Sequence, residues 1–440
     1  METLAVAGGK PVRTSPWPSW PVFDDREEHA VLEVLRSGNW WRFSYGQGAE
    51  LAEDDVSPKS TVVRFQRAFA QAHDCRYGIC TANGTVALEI ALRAAGVRPG
   101  DEVIVPAYTF VATATAPLMI GAIPVFVDID ADTYNIDVHR VSQAITERTR
   151  AVIPVHFGGQ PCDMDGLNAL AARYGLKVIE DAAHAHGASY AGRKCGSLGD
   201  LAIFSFQLSK NMTAGEGGIV TTNDEASARL CESLVWAGRI PGEPWYRHYV
   251  LAGNARLTEF QGAILRVQLE RLEEQTQRRA RNALVLDRLL GQIEGIEPLK
   301  TFPNTTRHSY HIYIFRYHPE AFGGMSKSEL VRALQAEGIS GVLGGYETPL
   351  YANPMFIEKA FMGGPWPLSA WEHGQRMDYG RCSADCPVSE RACATEAVWI
   401  PQTMLLADEQ AMSDIAVALR KIQTWARAHP CCEQERDSTL

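Results

Sequence analysis

The chain has 440 residues, 46% of them hydrophobic, with 42 Lys and Arg against 52 Asp and Glu. That length predicts two or three domains, and an acidic balance with no long basic run excludes a surface that tracks nucleic-acid phosphates. No run of about 18 apolar residues is available to span a bilayer and the N-terminus lacks the basic start and apolar core of a signal peptide, so a soluble, cytoplasmic protein is expected.

Residues 1–30, rich in Pro and Trp, read as an extended arm that packs onto another part of the protein. Asp24 and Asp25 suit a helix N-terminus, and the helix they start ends near Gly38. The loop NWWRFSYGQGAE (39–50) admits two readings: a ligand site or oligomer contact, or a loop whose tryptophans cover core. From Tyr77 the rhythm becomes strand, helix, strand. YGICTA is a predicted strand, TVALEIALRAAG a helix ended by Gly96, EVIVPAYTF a strand and TATAPLMIG a short helix. IPVFVDID, RAVIPVHFGG, KVIEDAA, LAIFSF and GGIVTT follow as strands, with amphipathic stretches between several of them. Continuous Val/Ile-rich runs mark strands covered by helices on both faces, so the expected fold class is α/β: a doubly wound, mainly parallel sheet flanked by helices.

Beyond Asn254, RLTEFQGAILRVQLERLEEQTQRRARNALVLDRLLGQI predicts one long helix, a natural spine between two domains. HSYHIYIFRY alternates like a half-buried strand, KSELVRALQAEG is a helix ended by Gly338, and AVWIPQ is a strand, which together predict a smaller α+β domain. The expected division is an arm (1–30), a large α/β domain (31–265) and a small C-terminal domain (266–440). Between Gly363 and Cys393 lies a stretch rich in Trp, Pro, Gly and Cys that is expected to be a long functional loop. Its Trp366, Trp371 and Tyr379 either line a substrate pocket or fill space.

The ten cysteines are too sparse for a disulfide framework. Cys382, Cys386 and Cys393 make one cluster to weigh as a metal site. Their spacing matches no CxxC pair and no nearby histidine completes a ligand set, so no metal is expected. Cys431 and Cys432 stand in a polar tail and are expected to be exposed.

The segment LAIFSFQLSKNMTAGEGGIV (201–220) sets Lys210 between an apolar strand and a Gly-rich turn. A lysine there either reaches water at a strand end or loses hydration, and in the second case its pKa falls towards a nucleophilic free amine. KVIEDAAHAHG (177–187) tips the balance, because an apolar strand there stops at Glu180 and Asp181. A lysine that forms a Schiff base and an aspartate that pairs with a pyridinium nitrogen are the two protein groups that pyridoxal 5′-phosphate (PLP) most needs. Asn83, Gly84 and Thr85 open the first helix of the α/β domain, where unpaired N–H groups favour a phosphate, although many strand-to-helix turns need the same residues. Ser205 either adds a hydroxyl to that phosphate or packs in the sheet. Phe110 either stacks on a planar cofactor or fills core.

Taken in order, NGT (83–85), PAYTF (106–110), EDAAHAHG (180–187), FSFQLSK (204–210) and TAGEGG (213–218) resemble the DegT/DnrJ/EryC1/StrS aminotransferases over nearly the whole chain. The resemblance implies the PLP-dependent transferase fold of type I. It also implies a homodimer with sites at the subunit boundary, PLP as cofactor and pyridoxamine 5′-phosphate (PMP) as intermediate. On that pattern Lys210 is the Schiff-base lysine and proton carrier, Asp181 pairs with the pyridine nitrogen, His184 lies near the ring's 3-hydroxyl and Phe110 stacks on the ring. Gly84, Thr85 and Ser205 bind the phosphate, joined by Asn254 of the other subunit. Relatives with histidine in place of the lysine are deoxysugar dehydratases, so Lys210 implies transamination.

GNWWRFSYG, EDAAHAHGASYAGRKCG and FSFQLSKNMTAGEGG look closest to glutamine:scyllo-inosose aminotransferases and 3-amino-5-hydroxybenzoate synthases of secondary metabolism, and HSYHIYIFRY with GYETPLY leans to the cyclitol side. The expected reaction is ping-pong transfer from L-glutamine to a keto-cyclitol. Amination of a nucleotide-linked keto-sugar is the alternative, and a basic groove for a diphosphate would mark it. A non-catalytic scaffold is the remote alternative, against which Lys210 and Asp181 stand. Arg42 and Arg256 are candidates for the donor's carboxylate by the fit of a guanidinium fork, or else structural ion-pair partners.

Overall fold

The computed structural model describes residues 2–42, 59–244, 246–361 and 363–430. Residues 43–50 of the aromatic loop, and Cys431 with Cys432, lie outside the described residues. In chain order the strands are β1 (Tyr77–Thr81), β2 (Glu102–Pro106), β3 (Ile123–Val127), β4 (Thr149–Val152), β5 (Lys177–Asp181), β6 (Ser189–Tyr190) and β7 (Arg193–Lys194). They continue as β8 (Leu201–Ser205), β9 (Gly218–Thr222), β10 (Ile296–Pro298), β11 (Thr305–Arg307), β12 (Ile312–Tyr317) and β13 (Ala397–Pro401). The main helices are α1 (Asp25–Ser37), α2 (Thr61–Ala72), α3 (Gly84–Ala94), α4 (Ala112–Met119), α5 (Val138–Ala144) and α6 (Met164–Tyr174). After them come α7 (Glu225–Val235), α8 (Glu259–Leu290), α9 (Lys327–Ala336) and a C-terminal helix, Glu409–Ala428. No described helix is long and apolar enough to cross a membrane.

Seven strands form the central sheet in the order β1-β9-β8-β5-β4-β2-β3. β9 runs antiparallel to both of its neighbours, and the remaining pairs are parallel. Both faces are covered, as the unbroken apolar runs require. On one face Leu88, Ala91 and Leu92 of α3 pack with Ala116 of α4 and Leu234 of α7; on the other Phe65 and Phe69 of α2 pack with Leu167 of α6 and Leu265 of α8. α2 adds an element that the rhythm beginning at Tyr77 leaves out. α1 runs where its caps place it, with Asp24 and Glu27 closing a capping box and Gly38 ending the helix at φ 69°.

A second core gathers Ala283, Leu286 and Leu290 of α8, Phe315 of β12, Leu330 and Leu334 of α9, Ile400 of β13 and Leu419 of the C-terminal helix. α8 therefore serves both cores. We propose that the seam between the large and small domains runs through this helix, close to the boundary expected at 265/266. The arm lies on the second core: Leu4 is buried in it, Trp17 donates to Gly338 O at 2.8 Å, and Trp20 Nε1 donates to Leu208 O at 2.6 Å.

Two expectations are corrected. β12 begins at Ile312, four residues later than the alternation of HSYHIYIFRY implies, because Tyr310 takes a left-handed φ of 48° and its ring lies parallel to that of His308 at 3.8 Å. Beyond the bend His311 still accepts from Gln402 N at its backbone oxygen (3.0 Å), next to the Ile312–Pro401 pair that opens the β12–β13 ladder. The stretch 363–393 is not one long loop but a series of short helical turns that cover β3, the edge strand of the sheet. Tyr379 is buried there against Phe126 and Phe356 and donates to Pro124 O at 3.1 Å, and Trp371 packs over Gly100. Asp128, buried beyond the end of β3, pins the stretch by accepting from Val388 N (2.8 Å), Ser389 N (2.9 Å) and Ser389 Oγ (2.7 Å). Replacing Asp128 with Ala strands those donors, and denaturant unfolding should show a loss of about 2 kcal/mol. Proteolysis should accelerate within 363–393, with the cofactor absorbance unchanged.

Candidate active site

The parallel strands all end at one edge of the sheet, and the turns that follow them wall a cavity of about 690 Å³. β1 delivers Asn83, Gly84 and Thr85; β2 delivers Thr109 and Phe110; β5 delivers Asp181 and His184; β8 delivers Ser205 and Lys210. The small domain closes the far side with His311, Tyr346 and Trp399. Gly84, Thr85, Phe110, Asp181, His184, Ser205 and Lys210, scattered over 127 positions of sequence, thus meet in one place. Phe110 is 56% exposed, which favours a ring offered to a ligand over one filling core. Asn254 is exposed and does not line this cavity.

Glu180 and Asp181 are adjacent in β5 and therefore point to opposite faces. Glu180 turns into the protein, where its carboxylate accepts from Leu198 N (2.7 Å), Gly199 N (2.8 Å), Gly196 N (2.8 Å) and His156 Nε2 (2.9 Å). Cys162 N donates to His156 Nδ1, so Nε2 carries the imidazole proton. Asp181 turns into the cavity and accepts from Thr113 Oγ1 (2.9 Å) and Ala183 N (3.2 Å). Burial pushes its pKa up, while those two donors and the Lys210 charge pull it down. Burial also lowers Lys210 to about 8, opposed by the Asp181 charge, and its Nζ makes no hydrogen bond or ion pair among the described residues. A free amine is therefore within reach of neutral pH.

Asn83 caps α3 by accepting from Val86 N at 2.9 Å, which leaves the N–H groups of Gly84 and Thr85 without described partners at the positive end of the helix. Gly84 is needed there: a Cβ on it would lie 2.9 Å from Ser205 Cβ. Ser205 Oγ accepts from Gln207 N at 3.3 Å and keeps its own proton to donate. Across the cavity His184 is buried, its Nδ1 has no partner, and burial with the Lys210 charge holds it neutral.

The sequence agrees with this geometry. A family model described as the DegT/DnrJ/EryC1/StrS aminotransferase family matches residues 51–419. The chain belongs to that family. It is 40% identical over 431 residues to an L-glutamine:2-deoxy-scyllo-inosose aminotransferase of Streptomyces fradiae, covering 95% of this chain and 97% of the relative. The crystal structure of a 3-amino-5-hydroxybenzoic acid synthase superposes with a TM-score of 0.82 at 34% identity, covering 94% of this chain and 100% of the other. A Streptococcus pneumoniae protein solved in PLP form superposes with a TM-score of 0.74 at 26% identity, over 93% of this chain and 100% of that one, and a PMP form of it is also known.

This DegT-family chain is therefore a PLP-dependent aminotransferase of fold type I, and its cavity fits the cofactor. A lysine of lowered proton affinity, a buried carboxylate, an unpartnered imidazole nitrogen and an anion-suited helix start are the groups an aldehyde, a pyridine nitrogen, a phenolic oxygen and a phosphate ask for. Thr113, His311, Tyr346 and Trp399 were not legible as site residues. Thr113 sits in a bland helical run, and the others reach the cavity only through packing of the small domain.

Of the two arginines, Arg42 is buried in a charged pair with Glu232 and a hydrogen bond to Gln66, so it is a structural partner rather than a carboxylate receptor. Arg256 lies over the Trp41 ring at 5.7 Å and is absent from the cavity wall. Trp366, Trp371 and Tyr379 are absent from it as well. Among the described residues the metal-capable cluster is His156, Glu180 and Cys195, and the hydrogen bonds above already occupy the Glu180 carboxylate and both nitrogens of His156. Glu180→Gln turns an amide NH2 against buried donors. Stability should fall by about 3 kcal/mol in urea unfolding, while the cofactor absorbance keeps its position.

Proposed function

We propose that this aminotransferase moves an amino group from L-glutamine to the ring ketone of a cyclitol such as scyllo-inosose, in two alternating half-reactions. The observation that carries the acceptor is the cavity wall. Among the described residues of this chain its basic side chain is Lys210, with His184 and His311 neutral, and none of the described arginines or other lysines lines it to receive the diphosphate of a nucleotide-linked sugar. Hydroxyl, amide and aromatic side chains line it beside aliphatic ones such as Val86 and Ile203 and one acid, Glu216, a wall that suits a compact polyol better than a diphosphate.

PLP, when bound, supplies the electron sink that stabilises the carbanion left when a Cα proton departs. The chain's residues do the rest. Asp181, which burial pushes towards the neutral acid and the Thr113 and Ala183 hydrogen bonds pull back towards the carboxylate, would pair with the ring nitrogen and favour its protonation. Phe110 offers its exposed face to the ring, and His184 holds the neighbouring phenolic oxygen. Gly84 and Thr85 at the start of α3, with the Ser205 hydroxyl, hold the phosphate. Asn254, exposed and away from its own chain's cavity, joins the phosphate of the other subunit in a homodimer. Lys210 would hold the cofactor and, as a free amine, would take the donor's Cα proton and deliver it to the cofactor carbon that carries the transferred nitrogen, with the reverse transfer for the acceptor, work that a pKa of about 8 permits near neutral pH.

The spectrum of the purified protein tests this reading. L-glutamine should convert a band near roughly 420 nm to one near about 330 nm, and scyllo-inosose should restore the first. Conversion by L-glutamate but not L-glutamine would sink the donor assignment. Because the neutral amine is the attacking form, covalent attachment of PLP to apoprotein should quicken as pH rises through about 8 and level off above it. Stopped-flow absorbance checks the profile, and Lys210→Ala should show no attachment at any pH.

A further inference from the structure

His311 stands just before β12, carried by the small domain, and its ring faces that of His184 from the large domain at 4.2 Å. Its protonation is decided by a short chain of hydrogen bonds. Asn211, buried next to Lys210 in sequence, donates from Nδ2 to Ser309 O at 2.9 Å. A carbonyl only accepts, so the Asn211 amide is oriented without ambiguity and presents Oδ1 to the other side. That oxygen lies 3.1 Å from His311 Nδ1 and also only accepts, so Nδ1 carries the proton. Ser309 is itself fixed, with Oγ donating to His184 O at 2.8 Å and N donating to Gly159 O at 3.0 Å.

The ring is neutral as well. His311 is buried, and the groups that face it are cations or other imidazoles: Lys210, Arg279, His184 and His186 all oppose a second proton. Nε2 therefore carries a lone pair. It has no partner among the described residues and keeps accessible surface, so it opens onto the cavity that His311 lines. Water can donate to an acceptor in that position, so a ligand that displaces the water keeps the bond only by bringing an O–H or N–H of its own. A ketone oxygen or a carboxylate brings no proton and is turned away. A ring polyol brings several.

We propose that His311 Nε2 accepts a hydrogen bond from a ring hydroxyl of the acceptor substrate and so selects polyhydroxylated ring ketones. This rests on the aminocyclitol reading above. Asn211 is then a positioning residue, acting through His311 by fixing its tautomer.

Two measurements on holoenzyme test the assignment: titration calorimetry with scyllo-inositol, which has the hydroxyls and no ketone, and the KM for scyllo-inosose. His311→Phe keeps a flat ring and removes the acceptor, so affinity for scyllo-inositol should fall about tenfold and KM should rise about as much, the scale of one hydrogen bond. kcat should change less, and the rate at which L-glutamine converts the cofactor band should fall by clearly less than the affinity for scyllo-inositol does. His311→Gln can set an amide oxygen near the place of Nε2 and should recover most of the lost affinity. Wild-type affinity and KM in His311→Phe would overturn the inference and leave the functional reading standing. So would equal loss in both variants together with an equally slowed conversion by L-glutamine, since that pattern marks support of the shared centre. If no ring ketone restores the wild-type spectrum, the functional reading fails and the inference with it.

Discussion

A lysine ammonium set at the floor of a half-enclosed cavity loses much of its hydration, and the structure depends on how that loss is offset. Among the described residues one carboxylate, Asp181, supplies the attraction that raises the proton affinity of Lys210, and burial still leaves it near 8. The pair is held apart and aimed by the sheet. Asp181 rides at the end of β5 and Lys210 just beyond the end of its neighbour β8, so the register of two parallel strands sets where amine and carboxylate stand. A cofactor that binds the amine covalently and brings a cation to the carboxylate meets both needs at once.

The same strand separates two jobs that look identical in sequence. Glu180 and Asp181 are neighbours, yet the pleat sends one into a cage of backbone N–H groups and the other into the cavity. Glu180 is satisfied by four donors and fixes the turn at 196–199 that leads into β8. It thereby holds the strand that carries Ser205 and leads to Lys210. Structural and chemical carboxylates are distinguished here by the number of partners each finds, not by residue type.

The small domain contributes selection rather than chemistry. It reaches the cavity through a bend at His308–Tyr310, and the contacts of Ser309 with His184 and Gly159 lock that bend onto the large domain. The face opposite the cofactor groups is therefore built by residues from the end of the chain, His311, Tyr346 and Trp399. The stretch 363–393, which draws attention by its tryptophans, covers a sheet edge instead. A strand with unpaired N–H and C=O groups needs a cover as much as a substrate needs a pocket, and both draw on large aromatics.

The sequence by itself determined the strands of the sheet and the family, and it singled out Lys210, Asp181 and the Asn-Gly-Thr helix start that the proposed function uses, because each of these is written locally. Buried strands show as Val/Ile runs, a helix start shows as Asn-Gly-Thr, and the reactive side chains follow strands at short, fixed distances. Only the tertiary structure decided which arginine was locked in a buried ion pair, which carboxylate faced the cavity, what the Trp-rich stretch covered and which nitrogen of His311 was left open. Those outcomes turn on partners far away in sequence: Glu232 for Arg42, Asp128 for Ser389, Asn211 for His311. A hydrogen bond or ion pair across a hundred or more residues leaves no local pattern, so it becomes legible only when packing has brought the two ends together.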